Sequence, residues 1–269
     1  MSYKIVFSDI DGTLLNKDRE LSERTIKTIQ EIKDEIPVVL ISARMPQAMR
    51  HLQKQLGIEN QPIICYNGGF VLIDEQPVSS TAIPVQTIKE LARFNKNTNV
   101  HLSLYNGEEW HVPDYDYWAK REKRNTKVTP SITHIDTVMN DWGKRELGAH
   151  KIMCMGEEDR IEEMFQFLNE NYGDKLHVYR SKETYIEVAN KQISKLTAIE
   201  YLLKNHFNLS IEETVAFGDN YNDVEMINGV GMGVAVANAR EETKKVANKI
   251  TDASIDDGVA KTLEELFLK

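Results

Sequence analysis

Two short acidic motifs carry the chemistry that can be read in this chain. The first, Asp9-Ile10-Asp11-Gly12-Thr13, follows directly on the apolar run Ile5-Val6-Phe7. Two carboxylates at the end of a buried strand need a compensating cation, because like charges withdrawn from water together destabilise one another. A metal ion is the simplest such cation. Gly12 lets the backbone turn and come close to a ligand, while Thr13 supplies a hydroxyl and an amide donor. The same residue types also favour a solvated turn, so this motif alone leaves both readings open. Asp9, Asp11 and Glu20 stand at positions one, three and twelve of a calcium loop, but position six is Leu14 where that loop needs glycine. A strand rather than a helix precedes it, and the EF-hand reading fails.

The second motif is Gly218-Asp219-Asn220-Tyr221-Asn222-Asp223, again directly after an apolar run, Thr214-Val215-Ala216-Phe217. If the two strands are neighbours, Asp9, Asp11, Asp219 and Asp223 surround one oxygen-rich site. Hard carboxylate ligands without organised His or Cys select Mg2+, and the seven histidines are scattered without ligand spacing. Asp223, four residues beyond Asp219, reaches such an ion directly or through water. The alternative is that these acids only cap the following helix. Ser42 ends the run Val38-Val39-Leu40-Ile41 and offers a hydroxyl to a phosphate. Lys195 follows Ser194 at the expected start of a helix, so its ammonium and the helix N-terminus both present positive charge to one anion.

These residues need elements to position them. Ile5-Val6-Phe7, a helix from Ser22, Val38–Ile41, a helix from Pro46 to Leu56, and Ile63-Ile64-Cys65 alternate as βαβαβ. Ser22 suits an N-cap, Ile26, Ile29 and Ile32 recur on one helical face, and Gly57 suits a helix end. The rhythm resumes from Thr214 to the C-terminus. The expected fold is therefore α/β, a doubly wound, mostly parallel sheet contributed by residues 1–83 and 188–269. Residues 84–187 carry most of the tryptophan and have shorter strands, which reads as an inserted α+β domain. In that insertion Trp110, His111, Tyr115, Tyr117, Trp118 and Arg121 read as domain core and receive no role.

Composition narrows the partners. Lys and Arg total 33 against 42 Asp and Glu, a formal charge of −9, with no contiguous basic block, which argues against nucleic acid and anionic membrane. A small molecule fits better. The N-terminal apolar run is interrupted by Asp9 and falls far short of a signal peptide, and Cys65 and Cys154 read as buried free thiols; the cytoplasm is the expected location. A dinucleotide fold is not supported, since Gly229-Val230-Gly231 precedes its strand and Val234 occupies the third glycine position. Composition and spacing do not indicate an oligomeric state.

Taken in order, Asp9-Ile-Asp11-Gly-Thr13, the strand-end Ser42, the helix-leading Lys195 and Gly218-Asp219-x-x-Asn222-Asp223 resemble the four motifs of the haloacid dehalogenase superfamily. The long insertion resembles the cap of its Cof-type sugar-phosphatase branch. The resemblance implies a phosphatase in which Asp9 is the nucleophile, Asp11 the acid and base, and Mg2+ is held by Asp9, the Asp11 carbonyl and Asp219. Thr13, Ser42 and Lys195 hold phosphoryl oxygens in that scheme, with Asn222 and Asp223 orienting them. Ala43 and Leu196 depart from glycines common in the branch, which makes Lys191 a second candidate for the lysine role. For the leaving group, Asn67-Gly68-Gly69 sits where backbone can approach a ligand, although Asn-Gly is also a hairpin signal, and Arg44 is a further candidate. Two rivals remain at this stage: a phosphotransferase or phosphomutase on the same scaffold, and a phospho-ligand-binding regulatory protein with negligible turnover.

Overall fold

Strands that are apolar along their whole length must be covered on both faces, and the larger sheet of this chain meets that demand. The computed structural model describes residues 3 to 268. Its eight-stranded sheet has the spatial order Lys249–Thr251, Met232–Val236, Thr214–Gly218, Ile5–Ser8, Val38–Ile41, Ile63–Cys65, Phe70–Ile73 and Gln76–Ser80. Pairing is parallel from Lys249–Thr251 through Ile63–Cys65, and Phe70–Ile73 returns antiparallel. Every residue of Ile5–Ser8, Val38–Ile41 and Thr214–Gly218 is buried.

The order of the strands locates the site. The chain begins at Ile5–Ser8, moves one way through Val38–Ile41 and Ile63–Cys65, then returns to the other side of its first strand with Thr214–Gly218. Strand order reverses between Ile5–Ser8 and Thr214–Gly218, and open α/β sheets bind ligands outside the carboxyl ends at such a point. The register Ser8↔Phe217 brings the residues that follow the two strands side by side. The neighbour relation on which the second motif depended therefore holds.

Helices cover this sheet as the sequence periodicity requires. Glu23–Ile32 starts at Ser22, whose side chain accepts from Thr25 N–H, and buries Thr25, Thr28, Ile29 and Ile32. Ile26 is only half-buried, because the buried face runs through the two threonines instead. Lys195–Leu202 and Val224–Gly229 bring Ala198, Ile199, Leu202, Met226 and Ile227 against Ile5, Phe7, Val39 and Ile64 of the sheet.

The chain divides into two compact units, one of residues up to Ala43, Met49–Val78 and from Ser194 onward, the other of Arg44–Ala48 and Ser79–Ile193. The second has its own sheet, in the order Leu176–Lys182, Tyr185–Asn190, Lys151–Met155, His101–Asn106, Glu109–Val112 and Ser131–Ile132. Leu102, Leu104, Ile152, Cys154 and Ile186 from these strands pack with Leu91, Trp142, Ile161, Met164 and Leu168 from helices. A boundary at residue 187 falls inside Tyr185–Asn190, which continues because Leu176 pairs Asn190 in register; this unit accordingly runs to Ile193 and starts at Ser79 rather than 84. Trp110, Trp142 and Tyr105 are buried in it, whereas Tyr117 is exposed. No helix among the described residues is long and apolar enough to cross a membrane.

Candidate active site

Asp9 continues the first strand by one residue, its N–H donating to the Phe217 carbonyl at 3.0 Å. That ladder bond seats a carboxylate that is only 5% exposed at the sheet's carboxyl edge. Lys195 arrives from the helix that follows the second unit. Ser194 caps this helix by accepting from Thr197 N–H while Thr197 Oγ1 accepts from Ser194 N–H, so the helix begins at Lys195 itself. Its buried face is Lys195, Ala198, Ile199 and Leu202, which forces an ammonium into the interior along with three apolar side chains. There Lys195 Nζ donates to Asp9 Oδ1 and to Asp223 Oδ1, each at 2.5 Å.

The other Asp223 oxygen accepts from the backbone N–H groups of Asp219 and Asn220, both at 2.9 Å. Thr13 Oγ1 donates to Asp219 Oδ1 at 3.0 Å and joins the two motif loops. Glycine is required at two points of this junction. Gly12 has φ +88°, and a Cβ there would stand 2.4 Å from Asp219 Oδ2; at Gly218 a Cβ would stand 2.5 Å from that of Asp223.

Asp9, Asp219 and Asp223 each present an oxygen within 4.8 Å of the others'. Three carboxylates against one ammonium leave an excess of negative charge in a buried place, which is unfavourable without a further cation or protons. Burial raises the Asp9 carboxyl well above its ordinary range; Lys195 opposes this, and Asp223 and Asp219 add to it. Asp219 is pushed up to about 6 by burial and then by Asp223. Burial alone would depress Lys195, but Asp223 and Asp9 outweigh it and hold the ammonium charged. An all-oxygen donor set with this charge suits a hard divalent cation.

The cluster lies at the sheet's switch point, and comparison with known proteins gives the chain its family. The chain matches the haloacid dehalogenase-like hydrolases over residues 6–263. It belongs to that family. Within it the chain falls in the Cof-type branch and is a phosphoric monoester hydrolase in class. It is 34% identical over 99% of both chains to a protein of Haemophilus influenzae that carries the name "Putative phosphatase". The 5-amino-6-(5-phospho-D-ribitylamino)uracil phosphatase of Bacillus subtilis is 26% identical over 98% of this chain and 97% of its own. A crystal structure of a haloacid dehalogenase-like hydrolase from Bacteroides thetaiotaomicron superposes with a TM-score of 0.89 at 28% identity, covering 99% of this chain and 100% of that one.

Not every expected residue of this hydrolase joins the cluster. The Asp11 side chain is 38% exposed and accepts from Arg19 Nη2 at 2.6 Å. Ser42 is buried, its N–H on Ile64 O and its carbonyl accepting from Asn67 N–H at 2.9 Å. Asn222 Nδ2 donates to Asn67 Oδ1 at 3.0 Å, so the three segments that carry Ser42, Asn67 and Asn222 are tied together. Gly68 has φ +103°, and a Cβ there would stand 2.3 Å from Ser194 O. The close approach expected at Asn67-Gly68 is thus made to the start of the Lys195 helix, inside a hairpin connection. Arg44 is buried and donates to Ala48 O at 3.1 Å. Lys191 is turned to the Gly173 carbonyl at 2.5 Å, which leaves Lys195 alone of the two on the carboxylates.

Sequence reasoning overlooked the segment after Met232–Val236. Asn238 Nδ2 donates to Gly12 O at 2.8 Å, Arg240 N–H to Asp219 O at 2.8 Å, and Thr243 Oγ1 to Asn220 O at 3.0 Å. The available signal was position: Met232–Val236 adjoins Thr214–Gly218, so its trailing residues emerge beside the acidic loops.

Proposed function

We propose that this hydrolase is a magnesium-dependent phosphatase of small phosphorylated metabolites, sugar phosphates foremost, which carries the phosphoryl group transiently on Asp9. The observation that carries this reading is the buried cluster itself: three carboxylates, one ammonium and a net negative charge at the switch point. Asp9, Asp219 and the Asp11 carbonyl, with Asp223 beside them, would hold magnesium, which would neutralise phosphoryl charge.

The chain's own groups divide the remaining work. Asp9 attacks phosphorus, the role that the family resemblance implies for the first acid of its motif. Asp11, more than a third exposed and outside the cluster, gives a proton to the leaving oxygen, then takes one from water, as the family resemblance implies. Its bond to Arg19 must open for the first of these steps. Lys195, Thr13, Gly12 and Ser42 hold phosphoryl oxygens, and Asp223 keeps Lys195 and the Asp219 loop in place. Asn222 steadies Asn67, and Arg44, Asn67 and Gly68 are assigned to the leaving group. The second unit acts as a cap that selects the substrate.

A relative acting on a phosphoribityl compound supports a phosphorylated polyol or sugar as the substrate class. The buried reduced thiols Cys65 and Cys154 fit a cytoplasmic setting. The test is a phosphate-release screen over phosphorylated sugars, polyols and aryl phosphates, with magnesium and with chelator. Phosphate release that needs magnesium and no acceptor supports hydrolysis; consumption of the ester only with a sugar acceptor, which becomes phosphorylated while no free phosphate appears, indicates transfer; neither favours a binding protein.

A further inference from the structure

The segment from Ala237 to Thr243 touches both acidic loops through their backbone carbonyls. Gly12 O, Asp219 O and Asn220 O each receive a hydrogen bond from it, the first from the Asn238 side chain at 2.8 Å. Asn238 is itself anchored, its Oδ1 accepting from Ser254 N–H at 2.9 Å. These two contacts fix which way the amide faces. Ser254 N–H can only donate and Gly12 C=O can only accept, so oxygen must meet Ser254 and nitrogen must meet Gly12.

The consequence lies on the far side of a peptide plane. Gly12 C=O and Thr13 N–H belong to one planar trans unit and point in opposite directions. Gly12, with φ +88°, lacks the side chain that would otherwise restrict how that plane rotates. Holding its carbonyl therefore aims the Thr13 N–H, and Thr13 Oγ1 is already held on Asp219 at 3.0 Å. We infer that Asn238 is a positioning residue for phosphoryl transfer, which keeps the Gly12–Thr13 peptide turned so that Thr13 N–H donates to a phosphoryl oxygen. The inference rests on the proposed phosphatase reading. Asn238 is exposed and touches neither reacting atom nor carboxylate, so its action is indirect.

Two substitutions separate this role from a general loosening. Asn238→Asp keeps the size and the Ser254 bond but sets an oxygen against Gly12 O; Asn238→Ala removes both bonds without adding charge. Ser254→Pro is a third and milder change. It deletes only the anchoring N–H at the first position of a helical turn, and Ala253 before it has φ −64° and ψ 157°, a conformation proline tolerates in its neighbour.

The experiment measures steady-state turnover of a generic aryl phosphate, half-saturation by magnesium, and inhibition by vanadate, alongside thermal melting. Misaiming one preorganised donor lowers rate by about ten- to a hundredfold, so kcat should fall by that factor in Asn238→Asp and Asn238→Ala and less in Ser254→Pro. Vanadate inhibition should weaken in step, with KM and magnesium half-saturation within about threefold of wild type. A twofold or smaller change in kcat for the folded Asp and Ala variants would overturn the inference, as would a magnesium half-saturation that shifts as far as vanadate inhibition. No turnover by the wild type with any phosphate ester would overturn the phosphatase reading and the inference together, whereas wild-type turnover with indifferent variants would remove the inference alone.

Discussion

Lys195→Met strips the cluster of its one positive group and shows how much the carboxylates depend on it. Methionine keeps an unbranched stem but lacks the ammonium, which is 1% exposed and 2.5 Å from both Asp9 and Asp223. Removing one partner of a buried ion pair costs about 3–5 kcal/mol, because the other charge stays buried without compensation. Against a total stability of roughly 5–15 kcal/mol, the variant remains folded with a thin margin. At about 2–4 °C per kcal/mol for a chain of this size, the metal-free Tm of the first unit should fall by roughly 6–20 °C. Magnesium acts in the opposite sense. With the ammonium gone the cluster is more negative, and a divalent cation relieves more repulsion. Circular-dichroism melts with magnesium and with chelator should therefore show a larger magnesium-induced rise in the variant than in the wild type, while turnover falls at least about a hundredfold. A metal-free Tm within about 2 °C of wild type would refute the view that this ammonium balances the acids.

Asp9→Asn should abolish turnover while the circular-dichroism spectrum stays native; near-normal phosphate release would remove Asp9 as nucleophile. Gly12→Ala places a Cβ 2.4 Å from Asp219 Oδ2 at φ +88°, so the loop must shift, and magnesium half-saturation should rise about tenfold or more, read by titrating activity against the metal. In the second unit, Gly107 N–H donates to His150 Nδ1 and Ser80 Oγ bonds Nε2, both at 2.9 Å, and burial lowers this imidazole from 6.5 to about 4. Its folded value lies below its unfolded one, so its contribution is complete above about pH 6.5 and shrinks by about 3 kcal/mol as pH falls towards 4; denaturant melts of wild type and His150→Gln should converge over that window.

Much of this could be read from the residues before any coordinates. Asp9 and Asp219 were legible because each directly follows a run too apolar to be anything but a buried strand, and Thr214–Phe217 pairs beside Ile5–Ser8 in register. The choice between Lys191 and Lys195 was also latent in the sequence. Ser194 and Thr197 form a reciprocal cap that starts the helix at Lys195, and positions 195, 198, 199 and 202 then share one buried face. What stayed hidden has no periodicity. Arg19 reaches Asp11 from a loop, and Asn238, Arg240 and Thr243 act on carbonyls, which every residue possesses and no motif marks. The end of the second unit was missed because Ala189 and Asn190 lack the β-branched signal of the strand they complete.

The architecture of the site follows from its electrostatic imbalance. A fold selected for stability alone would not assemble three acids around one base in the interior, since hydrophobic residues of like volume would serve as well or better. Here the acids converge only because four backbone features allow it: the ladder bond that seats Asp9, the missing Cβ at Gly12 and at Gly218, and the amides of Asp219 and Asn220 that hold Asp223. Each of these sits at the carboxyl end of one of two adjacent central strands, each hydrogen-bonded to a neighbour on both sides. The excess charge is thus placed at the carboxyl edge of the sheet's centre. A ligand that brings positive charge to it gains the repulsion released, and it does so without waiting for the protein to rearrange, which is the condition electrostatic preorganisation sets for fast phosphoryl transfer.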